Sequence, residues 1–144
     1  MMRIKIKKFR DVEIPEAFNG DWVDLRIAQD IKATAGDPLF VPLGVGMILT
    51  EGTEAHLLPR SSTFKKTGLM LANGMGIIDN NYSGDDDEWG AWFYPTRDIE
   101  VPAGTRLLQF RIMDTQHTMF GDVAFEEVEH LNDESRGGFG STGN

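Results

Sequence analysis

The sequence predicts an all-β fold, a barrel or a sandwich, on three observations. Apolar residues come in short runs, several of them alternating with polar ones at a period of two. Turn-forming residues separate the runs, with 16 Gly and 6 Pro in 144 residues. No stretch places apolar residues at helical spacing for long enough to make a full helix.

The elements follow in chain order. Ile4 and Ile6 alternate with Lys5 and Lys7, and Leu25 and Ile27 alternate with Asp24 and Arg26, which reads as two half-buried strands. Leu39-Phe40-Val41, Met47-Ile48-Leu49, His56-Leu57-Leu58, Leu69-Met70-Leu71 and the longer Leu107–Ile112 read as further strands, and Ile77-Ile78 is strand-like. Ser61 to Thr67 holds one short helix. From Asp133 the composition turns polar and glycine-rich, so the expected organisation is one domain over 1–132 and a tail over 133–144. A bare Gly/Ser tail is an ordinary frayed end. A lone Arg136 and a lone Phe139 among permissive glycines instead suit a ligand clamp that orders on binding.

Composition removes several function classes. Hydrophobic content of 40% and charged content of 26% are those of a soluble globular protein. The absence of cysteine excludes disulfides and thiolate metal sites. The basic start, Met1 to Phe9, leads into no apolar stretch of signal-peptide or membrane-span length, so a cytoplasmic protein without membrane association is expected. A net charge of -9 argues against broad nucleic-acid binding, which relies on many Lys/Arg contacts to phosphate. Any anionic ligand must therefore meet locally concentrated cations or arrive with a metal ion.

Four patterns invite a chemical reading. Pro59-Arg60-Ser61-Ser62 sets a guanidinium beside two hydroxyls at a strand end, which suits a phosphate; the plainer reading is a helix cap by Ser61 or Ser62. Asp79, Asn81, Ser83, Gly84 and Asp87 imitate a calcium loop, but Gly90 stands where the final bidentate Glu is needed and strands flank it, so calcium is rejected. The run Asp85-Asp86-Asp87-Glu88 then reads as a solvated loop. No Walker Gly-Lys-Ser/Thr follows the tail glycines. His56, His117 and His130 lack zinc spacing, His56 being placed on a strand face and the other two at the surface.

Five segments in order resemble the homotrimeric dUTP diphosphatases over nearly the whole chain. They are Asp24-Leu25-Arg26, Pro59-Arg60-Ser61-Ser62, the stretch from Asn73 to Gly84, Gly104 to Gln109, and Arg136 to Gly143. The chain departs from the family in having Leu107-Leu108 in the fourth segment, an acidic then aromatic run from Asp85 to Tyr94, and a short Arg136-to-Phe139 spacing. These features look most like members from Gram-positive bacteria and their phages.

The resemblance implies a β-barrel-like jelly roll, assembled as a homotrimer whose C-terminal tail closes a neighbouring site. It implies hydrolysis of dUTP to dUMP and pyrophosphate, limiting uracil incorporation into DNA and supplying dUMP for thymidylate synthesis. Asp79 would be the catalytic carboxylate. Asn73, Gly76, Ile77 and Ile78 would read uracil, and Tyr82 would pack beneath the deoxyribose. Arg60, Ser61, Ser62 and Gln109 would hold the inner phosphates. Arg136, Ser141 and Thr142 would hold the γ-phosphate, with Phe139 stacked over the base and Gly140 beside it. Mg²⁺ would be bound by the phosphates and waters, with Asp24 as an indirect partner and no direct protein ligand.

Two rival readings differ at named residues. A dCTP deaminase resembles Arg-Ser-Ser-x-x-Arg where this chain has Lys65, and it needs a catalytic Glu that Trp92-Phe93-Tyr94 does not offer. A phage-type regulatory protein would use the Asp85–Tyr94 run to bind a partner protein. The expectation set against it is that Trp89, Trp92 and Phe93 pack within the trimer.

Overall fold

The computed structural model describes residues 1–16 and 20–140. It holds eleven strands and two short helices among those residues. The strands are β1 (Lys5–Lys8), β2 (Val23–Arg26), β3 (Ile31–Ala33), β4 (Leu39–Pro42), β5 (Val45–Ile48), β6 (Thr53–Pro59), β7 (Leu69–Leu71), β8 (Gly76–Ile78), β9 (Gly90–Pro95), β10 (Ile99–Val101) and β11 (Arg106–Asp114). Helix α1 spans Thr63–Thr67 and α2 spans Gln116–Phe120.

All pairings are antiparallel. The largest sheet runs β2-β11-β6-β8, a second runs β4-β9-β7, and β1-β5 and β3-β10 form two-stranded ribbons. Period-two alternation explains how they enclose one core. On β6, Thr53, Ala55 and Leu57 point inward while Glu54, His56 and Leu58 lie half-exposed on the other face. Leu25, Val41, Leu57, Leu69, Trp89, Phe93 and Leu108 fill the interior with almost no exposure. Trp89 meets Phe110 edge to face at 5.4 Å between ring centroids.

Some elements depart from the sequence expectation. β3 and β10 have three residues each, too few for a period to register. β9 carries aromatics on both faces, with Phe93 inward and Trp92 and Tyr94 outward, so alternation is hidden within an unbroken aromatic run. The first helix begins at Thr63 rather than Ser61, and α2 was not expected at all. Thr115 caps α2 by accepting from the Thr118 backbone N–H, and no apolar residue of α2 is buried.

The acidic-aromatic run also reads differently in three dimensions. Trp89 and Phe93 are fully buried in the core of their own protomer, whereas Trp92 is about half exposed and rests edge-on against Phe40. Replacing Phe93 by Ala is expected to cost about 3–5 kcal/mol, the usual loss for a core phenylalanine. Nor is the acidic stretch simply solvated. The Glu88 carboxylate accepts from Arg10 and from the Gly44 backbone N–H, while Asp85 stays almost fully exposed. Regular structure ends at Phe120, and residues 122–140 are exposed throughout. Val123, Phe125, Val128 and Leu131 belong to that exposed stretch, so it begins before the composition change at Asp133.

Candidate active site

The Asp79 region is built from a strand end and a pinned turn. After β7, Gly74 donates its N–H to Leu71 O at 3.0 Å, with φ at +74°, and the chain reverses past Asn73 into β8. β8 then pairs with β6, Gly76 facing Leu57 and Ile78 facing Ala55. A Cβ on Gly76 would lie 3.1 Å from Leu57 Cβ, so the bare glycine allows this close approach. Asp79 follows directly and is exposed.

Two side-chain hydrogen bonds fix the segment beyond it. The Asn80 amide donates to Thr50 O at 2.8 Å and to Thr53 O at 2.9 Å, tying the turn to the start of β6. The Tyr82 backbone N–H closes the turn onto Asp79 O at 3.0 Å, and its phenol donates to Glu88 O at 2.9 Å. Desolvation, then the charges of Asp87 and Glu88, raise the Tyr82 pKa, so the phenol stays protonated and remains a donor. Ile77, Ile78, Asp79, Asn81 and Tyr82 line one cleft with Phe40 and Glu88.

A second cleft gathers positive charge. Arg26, Arg60, Lys66 and Arg106 line it together with Ser62 and Thr63. In a chain of net charge -9, this is the local concentration of cations that an anionic ligand needs. The guanidinium groups are held in place. Asp24 pairs with Arg60 Nε at 3.1 Å and with Arg106 Nη1 at 3.4 Å, and Arg26 donates to Gly104 O at 2.7 Å. Gln109 donates to Pro59 O at 3.1 Å, and Thr63 donates to Leu107 O at 2.6 Å. Ser62 occupies the N-cap position of α1, yet its side chain makes no capping bond. The plain capping role therefore does not use its hydroxyl, and Ser61 is exposed.

The predicted site residues thus fall into three groups. Asn73, Gly76, Ile77, Ile78, Asp79 and Tyr82 lie together around β8. Asp24, Arg60, Ser61, Ser62 and Gln109 lie together where β2, β6 and β11 meet. Arg136, Phe139 and Gly140 lie on the exposed C-terminal stretch, and Ser141 and Thr142 lie outside the described residues. The first group runs along β6 from Gly76, which faces Leu57, to Asp79 at the Thr53 end, whereas Arg60 follows the Pro59 end. Ile78 pairs with Ala55, which puts Asp79 level with Glu54; from there to Arg60, at about 3.3 Å per residue, is roughly 20 Å.

Sequence reading missed Arg26, Lys66 and Arg106 as members of the cationic cleft, although the first and fourth motifs contain two of them. It also missed Asn80, Glu88 and Phe40, whose roles depend on contacts with residues distant in the chain. Among the described residues no three His, Cys, Asp or Glu side chains are grouped as a metal cage. No described helix is long and apolar enough to cross a membrane.

Fold and site together define an all-antiparallel protein with one cleft that contains Asp79 and a separate cleft lined by Arg26, Arg60, Lys66 and Arg106. Residues 23–143 match the dUTPase family, and the chain belongs to it. It is 44% identical over 144 residues, 99% of each chain, to the SPbeta prophage-derived deoxyuridine 5'-triphosphate nucleotidohydrolase YosS of Bacillus subtilis (strain 168). Its fold superposes on a dUTPase from Streptococcus mutans with a TM-score of 0.67 at 26% identity, covering 76% of this chain and 94% of that one. A Staphylococcus bacteriophage 80alpha dUTPase matches with a TM-score of 0.78 at 18% identity, covering 99% of both chains. The architecture is accordingly the β-clip jelly roll expected from the motifs.

Proposed function

We propose that the protein is a homotrimeric dUTP diphosphatase that cleaves dUTP to dUMP and pyrophosphate at sites shared between subunits. The separation of Asp79 from Arg60 carries this reading. A general base must reach its proton within hydrogen-bond distance, directly or through one water. Two groups roughly 20 Å apart on one chain cannot both serve one phosphate chain. A neighbouring copy that sets its Arg60 end against the Asp79 hairpin supplies what each chain lacks. The exposed C-terminal stretch then brings Arg136 and Phe139 over the assembled site, with Ser141 and Thr142 beyond them.

In this arrangement uracil lies along the β8 hairpin, read by the backbone of Gly76, Ile77 and Ile78 with Asn73 beside it. Cytosine presents the opposite donor and acceptor pattern and leaves buried groups unpaired, a mismatch worth up to about 10⁴-fold. Tyr82 supports the deoxyribose and leaves no room for a 2′-hydroxyl. Asp79 takes a proton from a water whose oxygen attacks the α-phosphorus, and the bond to the bridging oxygen breaks to release pyrophosphate. Arg60, Ser61, Ser62 and Gln109 hold the inner phosphates, joined by Arg106 and Lys66 from the same cleft.

Magnesium fits as a passenger of the substrate. The chain offers no cage of acidic ligands among its described residues, and Mg²⁺ commonly binds through phosphates, waters and at most one or two carboxylates. Both Asp24 oxygens face guanidinium groups, which suits an indirect role near the ion rather than direct ligation. When bound, the ion neutralises charge developing on the leaving pyrophosphate. A cytoplasmic location accords with a nucleotide substrate.

The test is pyrophosphate release from dUTP, dCTP, dTTP and UTP by the wild type and by Asp79→Asn. Only dUTP is expected to turn over efficiently, and the variant should lose about 10²–10⁴-fold in kcat. Near-normal turnover by the variant, or ammonia release from dCTP, overturns the assignment.

A further inference from the structure

Glu88 lies outside the five motifs, yet its carboxylate has three well-placed donors. Arg10 Nε donates at 2.7 Å and Arg10 Nη2 at 3.3 Å, a two-pronged grip, and the Gly44 backbone N–H donates at 3.0 Å. Its side chain is 21% exposed, against 97% for Asp85, which separates a fastened acid from a solvated one. The Gly44 anchor is stiff, and the Arg10 side chain is 45% exposed. Gly44 has φ of +75°, and a Cβ there would lie 2.8 Å from Val12. The next residue, Trp89, is fully buried and donates its N–H to Val45 O at 2.8 Å.

What the fastened residue holds is its own carbonyl, which accepts the Tyr82 phenol at 2.9 Å. Glu88 and Tyr82 line the same cleft as Asp79. The far end of the Tyr82 ring is therefore tied, through Glu88, to the N-terminal segment and to the turn between β4 and β5. Elsewhere in the acidic loop Asp87 accepts from the Gly84 N–H at 2.8 Å and Asp85 O accepts from Lys7 Nζ at 2.9 Å, contacts that do not involve the Tyr82 phenol.

We infer that Glu88 is a positioning residue: clasped by Arg10 and Gly44, it fixes the plane of Tyr82 and thereby sets discrimination between deoxyribose and ribose. This rests on the proposed reading of Tyr82 as the sugar platform. The ring touches the sugar and Glu88 acts through it. Loss of the Glu88 side chain leaves the carbonyl in place but frees the loop that carries it, so the ring can tilt and admit a 2′-hydroxyl.

The experiment compares kcat/KM for dUTP and UTP in the wild type, Glu88→Ala, Glu88→Gln, Arg10→Ala, Tyr82→Phe and the double variant Glu88→Ala/Tyr82→Phe. The ratio cancels general losses, because the two substrates differ only at the 2′ position. Glu88→Ala, Arg10→Ala and Tyr82→Phe should each lower the dUTP preference by about tenfold, roughly the worth of one hydrogen bond. Glu88→Gln, which keeps an acceptor for Gly44, should restore part of it. The double variant should be no worse than either single one, because both break the same link.

A second readout needs no catalysis. The chain has only two tyrosines, Tyr82 and Tyr94, so Tyr94→Phe leaves Tyr82 as the sole phenol titrating in ultraviolet absorbance. Its pKa should fall toward the ordinary tyrosine value when Glu88→Ala opens the cleft to water. Unchanged dUTP preference in the Glu88 and Arg10 variants of an active enzyme overturns the inference, as does full additivity in the double variant. A wild type that fails to prefer dUTP over UTP overturns the sugar-platform reading itself, and the inference with it.

Discussion

The two ends of β6 are built by different means. At the Pro59 end the groups are charged side chains, with Arg60 and Arg106 braced against Asp24 and with Arg26 and Lys66 lining the same cleft. At the Thr53 end the fixed groups are backbone and neutral side chains, held by Asn80 on Thr50 and Thr53 and by Tyr82 on Glu88. Charge suits a phosphate chain, which offers strong acceptors in any orientation. A base differs from its rivals only in where donors and acceptors lie, so shape and backbone must read it. The strand keeps the two clefts apart on one chain, which is the geometry that the proposed sharing of a site between copies rests on.

The largest expected effect tests that separation directly. Arg60→Ala and Asp79→Asn chains should each be nearly inactive alone. After unfolding and refolding together in equal amounts, about a quarter of the wild-type activity should return, because a site drawing its halves from two chains is intact in one random combination of four. No recovery from mixed trimers would mean that both residues act from a single chain.

The exposed tail gives the next largest effect. A chain stopped after Asn132 loses Arg136 and Phe139, both exposed. The loss of base stacking together with a charged phosphate contact should lower kcat/KM for dUTP by about 10²–10³-fold. Folding stability should change by no more than about 0.5 kcal/mol, as for other surface changes. A large fall in thermal stability would show instead that the tail helps hold the barrel or the trimer together.

How much of this contrast was legible in the sequence depends on which end is considered. Arg60, Ser61 and Ser62 suit an anion by residue type, though a helix cap reads equally plainly there, and Gln109 enters only through the resemblance; the structure adds that Arg60 and Ser62 line one cationic cleft. Asp79 is singled out by its motif, but the residues that hold its surroundings are not. Asn80 bonds to Thr50 and Thr53, and Glu88 bonds to Arg10 and Gly44, contacts that follow from sheet register and loop packing. Asp24 is a further case: the resemblance implies an indirect role near Mg²⁺, and what the structure adds is that its carboxylate braces Arg60 and Arg106. The fold class was readable because alternation survives in most strands. It was lost at Ile31–Ala33, a three-residue strand with a lysine at its centre and no apolar run to mark it, and at Gly90–Pro95, which is aromatic on both faces.

Asn80 provides a smaller test at the Thr53 end. Asn80→Ala removes two hydrogen bonds between the turn and the start of β6 and should cost about 1–3 kcal/mol of stability, counting the acceptors left behind. Because Asp79 is its neighbour, kcat should fall more than KM rises. A loss confined to KM would place Asn80 in binding rather than in orienting the carboxylate.

Salt produces the smallest effect and sharpens the comparison most cleanly, because it should touch only one end. The Debye length shrinks from about 8 Å at physiological ionic strength to about 3 Å at 1 M. Arg60 and Arg106 are partly exposed, with side-chain accessibilities of 30% and 40%, so their attraction for phosphate is open to screening. KM for dUTP should rise several-fold over that range, as counterions compete for the cationic cleft. Preference for dUTP over dCTP should hold, because it rests on short hydrogen bonds and steric fit that mobile ions do not reach. The measurement is a pair of steady-state titrations, dUTP and dCTP, at each ionic strength. If the preference falls in parallel with KM, charge contributes to reading the base, and the division of labour along β6 is wrong. If neither changes, the phosphates are held by neutral donors and by the magnesium they carry, and the cationic cleft serves the trimer rather than the substrate.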